Sequence, residues 1–461
     1  MRAKPLSCLE FATRDGTRPM DDARLRMQRL VGRAWDEAKT PLYRNAFFIM
    51  SASVIGSALG FFFWLVVYRY FDSDDVAVAV ALFQTTTFVS SLGLFGLGIG
   101  LIRFLPEEEH KVHLVNACLT IVGIASLLAA AIFIVGIDFW ANKLDFILST
   151  PLYWIAILVT SMALAFAPIL DQTGYAMRRA DLITWRTVIF ALLKIPFALV
   201  FAAIAITNGR LGVFMALAIP MTIAVGLEGL YFLPRVLAGF RPRPTSNFEG
   251  VRPMVHFSLG NYAANAIGAS AGMLLPLMIL QVVTTDAVNF FYIASVVAAI
   301  LGIIPGAAFT SFYAEASQKN ANRHSDERRA ILLSLGLLVP GIIVMWVFAR
   351  FMLELFGDPK FADGAIGPLR ILVFAAIPTF LNAIYGTRVR VRKQTRPLIV
   401  GTVISAAVTF GLGYPLLLSN GINGLAIAVT LAQVASVPYY YFVARRSFKG
   451  EEVPPAAPVE I

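Results

Sequence analysis

The stretch "WRTVIFALLKIPFALVF", residues 185–201, is almost wholly apolar apart from Arg186 and Lys194. One such run could be a buried helix of a soluble protein. Its repetition along the chain decides otherwise. The 461 residues are 58% hydrophobic and 14% charged, where a soluble domain carries about a quarter charged residues. Twelve segments are long and apolar enough to cross a bilayer: roughly 46–68, 77–101, 112–136, 151–173, 184–206, 211–233, 255–282, 287–312, 330–349, 366–387, 398–418 and 422–443. The expected fold is an all-α polytopic membrane protein of about twelve transmembrane helices.

Charge sets the expected orientation. A net charge of +10 would suggest nucleic acid in a soluble chain. Here the apolar mass excludes that partner, and the cations mark the cytoplasmic loops. One set of alternate connections carries most of the Lys and Arg; the other carries only Arg69, Lys143, Arg210, Arg350 and Lys360. Both termini are therefore expected in the cytoplasm, as an even number of spans requires. The chain divides into a tail (1–44), a first six-helix lobe (45–233), a linker (234–254), a second six-helix lobe (255–446) and a short tail (447–461). In the first tail, "MQRLVGRAWDEAK" places Met27, Leu30, Val31, Ala34, Trp35 and Ala38 at helical spacing, as in a helix lying on a membrane surface. The lobes look like a repeat: "SDDVAVAVALFQ" opens span two and "TTDAVNFFYIAS" opens span eight, with Asp75 and Asp286 in matching places. Two repeated lobes around a central cavity suit a transporter.

No nucleotide-binding loop, HExxH or GxSxG motif occurs, so nothing suggests ATP hydrolysis or a nucleophile elbow. Cys8 and Cys118 suggest no disulfide framework, and His110 and His113 read as a solvated pair rather than a metal site. "DSD" at Asp72, Ser73 and Asp74 resembles a paired-acid metal motif, but it stands where a helix needs a cap, and capping is the expected role. No cofactor is expected, and the chain does not read as an enzyme. Gradient-driven transport is the default. Pro168, Pro196, Pro220, Pro276, Pro305, Pro378 and Pro415 lie inside spans, where they can kink helices that must rock.

Lys194 lies eight residues beyond Arg186, about 12 Å deeper in the membrane. A charge there costs on the order of 2.5–3.5 kcal/mol on insertion scales. Two readings stay open: the ammonium snorkels towards the cytoplasm, or it faces a cavity. In the second, Arg186 and Lys194 form a positive ladder that suits an anionic headgroup. Arg103 ends span two at the same interface. Arg370 enters span ten from outside, where it either anchors the helix or joins the substrate site. Asp171 and Glu228, near the cytoplasmic ends of spans four and six, either pair with Arg178 or Arg186 or bind a coupling proton or sodium ion.

"YRYFDSDDVAVAVALFQTTTFVSSLGLFGLGIGLIRFLPEEE" (68–109) and "YAMRRADLITWRTVIFALLKIPFALVF" (175–201) resemble the polysaccharide or O-antigen (Wzx-like) flippases. These belong to the multidrug/oligosaccharidyl-lipid/polysaccharide (MOP) exporter superfamily. The resemblance implies two lobes around a cavity that is often cationic. It also implies alternating access that carries a polyprenyl-diphosphate-linked glycan from the cytoplasmic to the outer leaflet of the cell membrane. Arg103, Arg186 and Lys194 then become headgroup or glycan contacts. Membrane lipids, a coupling ion and glycan-assembly enzymes become partners. The rival within the superfamily is a cation-coupled multidrug or toxin antiporter. A membrane glycan polymerase or glycosyltransferase fits less well, because no large outer loop or cytoplasmic acid-rich site occurs.

Overall fold

The computed structural model describes residues 41–177, 179, 181–204, 209–248, 250–316, 323–357, 359–391 and 395–448. The surface helix expected around Met27–Ala38 lies outside them. Every described element is helical or a turn. Lipid offers no hydrogen bonds, so a spanning segment must satisfy its own backbone, and the helix does so locally.

Span one is Pro41–Tyr70, span three Lys111–Val135, span four Pro151–Ala176 and span five Asp181–Ile204. Span six, Gly209–Leu227, runs into a π-turn at Glu228–Phe232. Spans seven to ten are Val251–Val282, Thr285–Ala316, Arg323–Val347 and Pro359–Val391. Spans eleven and twelve form one helical run, Thr395–Phe448, bent at Gly421 with φ +58° and ψ −148°. That conformation is open only to glycine. Among the described residues nine helices are long and apolar enough to cross a membrane, the bent run among them, and Ile55–Tyr70 and Ala266–Val282 are shorter apolar helices. Divided at Gly421, these make the twelve expected spans. The seven prolines lie within helices as the sequence placed them, joined by Pro340, Pro368 and Pro438.

Span two departs from the sequence reading. It is not one helix over 77–101 but two, Ser73–Leu92 and Leu97–Phe104, parted by a turn. Phe95 and Gly96 both have positive φ, +46° and +74°, and Gly96 opens the second piece in the left-handed region. A Cβ on Gly93 would meet the backbone nitrogen of Ser126 at 2.8 Å. Glycine at that position lets span two press against the backbone of span three. The carbonyls of Ser91 and Leu92, at the break, each accept from the Tyr262 hydroxyl of span seven, at 2.9 and 2.7 Å. The break is thus stitched from the other lobe.

The apolar core is divided unevenly. A large cluster holds side chains of both lobes, including Phe63, Val80, Phe214, Val288, Val297 and Leu369. A smaller one, including Leu97, Cys118, Ile169, Leu233 and Phe240, belongs to the first lobe and the linker that follows it. The linker folds back on span three: Asn116 Nδ2 donates to the Arg241 carbonyl at 3.0 Å, and the Thr245 N–H donates to Thr120 Oγ1 at 3.1 Å. Large apolar side chains such as Phe139, Val135 and Leu230 stand exposed at 90%, 83% and 70%. Lipid is the solvent that such a surface requires.

Candidate functional site

The short connection after span four makes spans four and five antiparallel neighbours, so charged residues near that turn face one another. Arg186 donates from Nε and Nη2 to Asp171 at 2.9 and 2.7 Å. Its Nε also lies 3.2 Å from Glu228 Oε2. Glu228 opens the π-turn that ends span six, a backbone irregularity common at functional positions. The Glu228 side chain is fully buried, and those of Asp171 and Arg186 are nearly so. One guanidinium therefore stands between two carboxyl groups. With both acids ionised the group carries one uncompensated negative charge in a dry setting, which one proton or one monovalent cation would balance. Arg179 pairs instead with Asp181, at 2.8 Å, at the start of span five.

Lys194 is buried and is not among the residues that line the cavity described below. It is 7% exposed, in the seam between spans one and five. Its Nζ lies over the rings of Phe63 and Phe190 at 5.1 and 5.2 Å. A Cβ on Gly60 would sit 3.6 Å from it, so glycine in span one makes room for the ammonium. No carboxylate among the described residues pairs with it. Aromatic faces are the weaker alternative to an acid, and they serve best when desolvated. The ladder of Arg186 and Lys194 is thus not a row of free charges: Arg186 is bound by its acids and Lys194 is enclosed by aromatics. The Arg370 guanidinium stacks over Trp346 of span nine at 4.7 Å, and its buried Nε has no hydrogen-bond partner among the described residues. Arg103 lies on the short second piece of span two, and its side chain is outside those described.

An open space lies elsewhere. A cavity of about 1110 Å³ is walled by spans seven, eight, ten, eleven and twelve, with Gln84 of span two closing one side. This cavity lies chiefly in the second lobe. Its polar lining is of amides and hydroxyls, including Gln84, Asn382, Gln433, Ser436, Thr402 and Tyr440. Asn382 Nδ2 donates to the Gln433 carbonyl at 3.0 Å and to Ser436 Oγ at 2.9 Å, joining spans ten and twelve. Among the described residues no carboxylate lines the cavity, and Arg390 is its one cation. Added Cβ atoms on Gly272, Gly302, Gly306 and Gly386 would meet nothing within 4 Å. These glycines keep the wall clear. The sequence reading missed this set, because uncharged amides and glycines in apolar runs do not stand out as charges do. Their recurrence inside spans eight, ten and twelve was the available signal.

The opposite end of the bundle is shut. The cavity lining on span eight runs from Phe291 to Phe309, so it begins about 9 Å below the helix start at Thr285. Above it, rings of the two lobes meet edge to face: Trp64 with Tyr292 at 4.9 Å, Phe61 with Phe356 at 4.8 Å and Tyr68 with Phe361 at 5.3 Å. Asp72, Ser73 and Asp74 do not cap span two as expected, since no side-chain cap bond forms there. Ser73 and Asp74 bond to the second lobe instead. Asp75, taken as the partner of Asp286 in the repeat, pairs with Arg210 at 3.1 Å. Asp74 is the residue that matches Asp286, one position earlier. Among the described residues no group of three or more His, Cys, Asp or Glu side chains is placed to hold a metal ion.

Solved transporters share this arrangement of helices. The lipid II flippase MurJ, in an inward closed conformation, superimposes with a TM-score of 0.69 over 86% of this chain and 87% of its own, at 13% identity. An inward-facing multidrug-resistance MATE transporter of the MOP superfamily superimposes with a TM-score of 0.64 over 85% and 94%, at 12% identity. A eukaryotic MATE transporter does so at 0.58 over 88% and 98%, at 15% identity. No family model and no curated protein matches the chain.

Proposed function

We propose that the protein is a secondary transporter that flips a polyprenyl-diphosphate-linked oligosaccharide from the cytoplasmic to the outer leaflet of the cell membrane, serving cell-surface polysaccharide synthesis. The observation that carries this reading is the chemistry of the cavity. Amides and hydroxyls bind sugar hydroxyls in either direction of donation. The volume of about 1110 Å³ lies just above the roughly 300–1,000 Å³ range of pockets for drug-sized ligands, as a bulkier headgroup needs. A lining without carboxylates gives a cationic drug no counter-charge. Arg390 ends the cavity at the face that the charge asymmetry assigns to the cytoplasm, at the depth where a diphosphate headgroup enters. The likeness to a lipid II flippase supports the same reading.

Within it, Asp171 and Glu228 hold the coupling proton or sodium ion, with Arg186 compensating the remaining charge. Lys194 and Arg370 are not among the residues that line this cavity, and any part they take in headgroup binding belongs to a different conformation of the lobes. One observation favours the second reading, a cation-coupled multidrug antiporter: the acid pair sits in a fold that MATE transporters share.

The deciding experiment uses proteoliposomes with a polyprenyl-diphosphate-linked oligosaccharide and an impermeant glycan-binding probe. Flipping is expected, with Arg390→Ala and Asn382→Ala each slowing it at least tenfold. Absence of flipping, together with exchange of a lipophilic cation for protons, would establish the antiporter instead.

A further inference from the structure

Spans two and eight begin side by side at the shut end with matching dipeptides, Ser73-Asp74 and Thr285-Asp286. Ser73 Oγ donates to Asp286 Oδ1 at 2.9 Å, and Thr285 Oγ1 donates to Asp74 Oδ1. Each hydroxyl reaches the acid of the other helix, the exchange that a two-fold axis between the lobes requires. Beneath it the buried Asn289 donates from Nδ2 to the Ser73 carbonyl at 2.6 Å and to Ser73 Oγ at 2.8 Å, and its Oδ1 accepts from the Tyr68 hydroxyl at 3.0 Å. Lys143 Nζ, on the first lobe, donates to the Val283 carbonyl at 3.4 Å.

The same side chains have a second set of partners within reach. The first backbone bond inside span two runs from the Val76 N–H to the Asp72 carbonyl, so the N–H groups of residues 73–75 have no acceptor in the helix. Ser and Asp at a helix N-terminus are the residues suited to satisfy such groups, and carboxylates are favoured there by the helix dipole. In this structure they are committed across the lobes instead. When the cross-lobe bonds part, these side chains can turn to free N–H groups of their own helices, beside the Thr284 Oγ1 that already accepts from the Ala287 N–H at 3.3 Å, and so replace part of what is lost. Among the described residues no ion pair crosses at this point. The junction is held by exposed hydroxyl–carboxylate bonds, and water can take these over when they part.

We propose that Ser73, Asp74, Thr285 and Asp286 form a reversible latch: bonded across the lobes when this end is shut, and turned back to cap their own helices when it opens. Its role as a gate rests on the transport reading, while its geometry does not. Loss of one hydroxyl–carboxylate bond should shift the balance towards the open state by about three- to tenfold, and loss of both by more than either alone.

The test reads accessibility rather than transport. In a Cys8→Ser, Cys118→Ser background, Ala299→Cys reports on the cavity and the exposed Phe139→Cys marks the latch face. An impermeant maleimide is applied from the latch face of oriented vesicles. Ser73→Ala with Thr285→Val should raise Ala299→Cys labelling at least tenfold over the parent while Phe139→Cys labelling stays constant. Joining Ser73→Cys to Asp286→Cys with a short thiol cross-linker should suppress that labelling and stop any transport the parent shows. Labelling unchanged by the double substitution, or full transport by the cross-linked protein, would overturn the latch. If no substrate is moved by any form, the labelling still decides the latch, and it is the flippase reading that fails.

Discussion

Replacing Arg186 with glutamine tests whether the cluster at spans four, five and six is held by charge. The guanidinium is 12% exposed and faces Asp171 and Glu228, at 17% and 0%. Removing it leaves two neighbouring carboxyl groups buried without a counter-charge. Breaking a buried pair from one side costs about 3–5 kcal/mol, because the remaining charge must be neutralised or hydrated. Glutamine returns part of this as hydrogen bonds, so about 3 kcal/mol is expected for Arg186→Gln. In a chain of this size that lowers the melting temperature by roughly 3 °C. The buried Cys118 thiol offers the assay: a thiol-reactive dye fluoresces as the detergent-solubilised protein unfolds. Neutralising all three residues, as Arg186→Gln, Asp171→Asn and Glu228→Gln together, should restore most of the loss. If Arg186→Gln melts within a degree of the parent, the acids are compensated by something else. If the triple variant melts as low as the single one, packing rather than charge holds the cluster.

Two further outcomes follow from single contacts. Lys194→Met keeps the volume between Phe63 and Phe190 and removes a charge that no acid compensates, so stability should change by less than about 1.5 kcal/mol. Flipping should still be lost if the ammonium is retained for function, and full activity would remove Lys194 from the mechanism. Gly93→Ala drives a methyl into the backbone of span three at 2.8 Å and should cost about 1–3 kcal/mol, read by the same thermal assay. Gly302→Ala, which meets nothing within 4 Å, should leave the melting temperature unchanged or raise it.

Hydropathy alone determined that this chain is a bundle of about twelve membrane helices. An apolar run of that length has few other ways to satisfy its backbone. The repeat was legible because both lobes begin their second span with the same capping chemistry, although the register was one residue off. Charges were legible as charges. Asp171 and Glu228 could be matched to Arg186 because spans four and six end, and span five begins, at one end of the bundle. Which charges face open space was not legible. At 3.6 residues per turn, a side chain's direction depends on how each helix is rotated against its neighbours. That rotation is decided by contacts between residues far apart in the chain, such as Lys194 with Phe63. The break in span two was hidden for a similar reason: glycines are common in membrane helices, and only the close approach to span three and the stitch from Tyr262 turn these into a break. The cavity and the latch are wholly tertiary. Each is made of ordinary polar residues that acquire a role only where Asn382 meets Ser436, or Ser73 meets Asp286, across helices the sequence keeps apart.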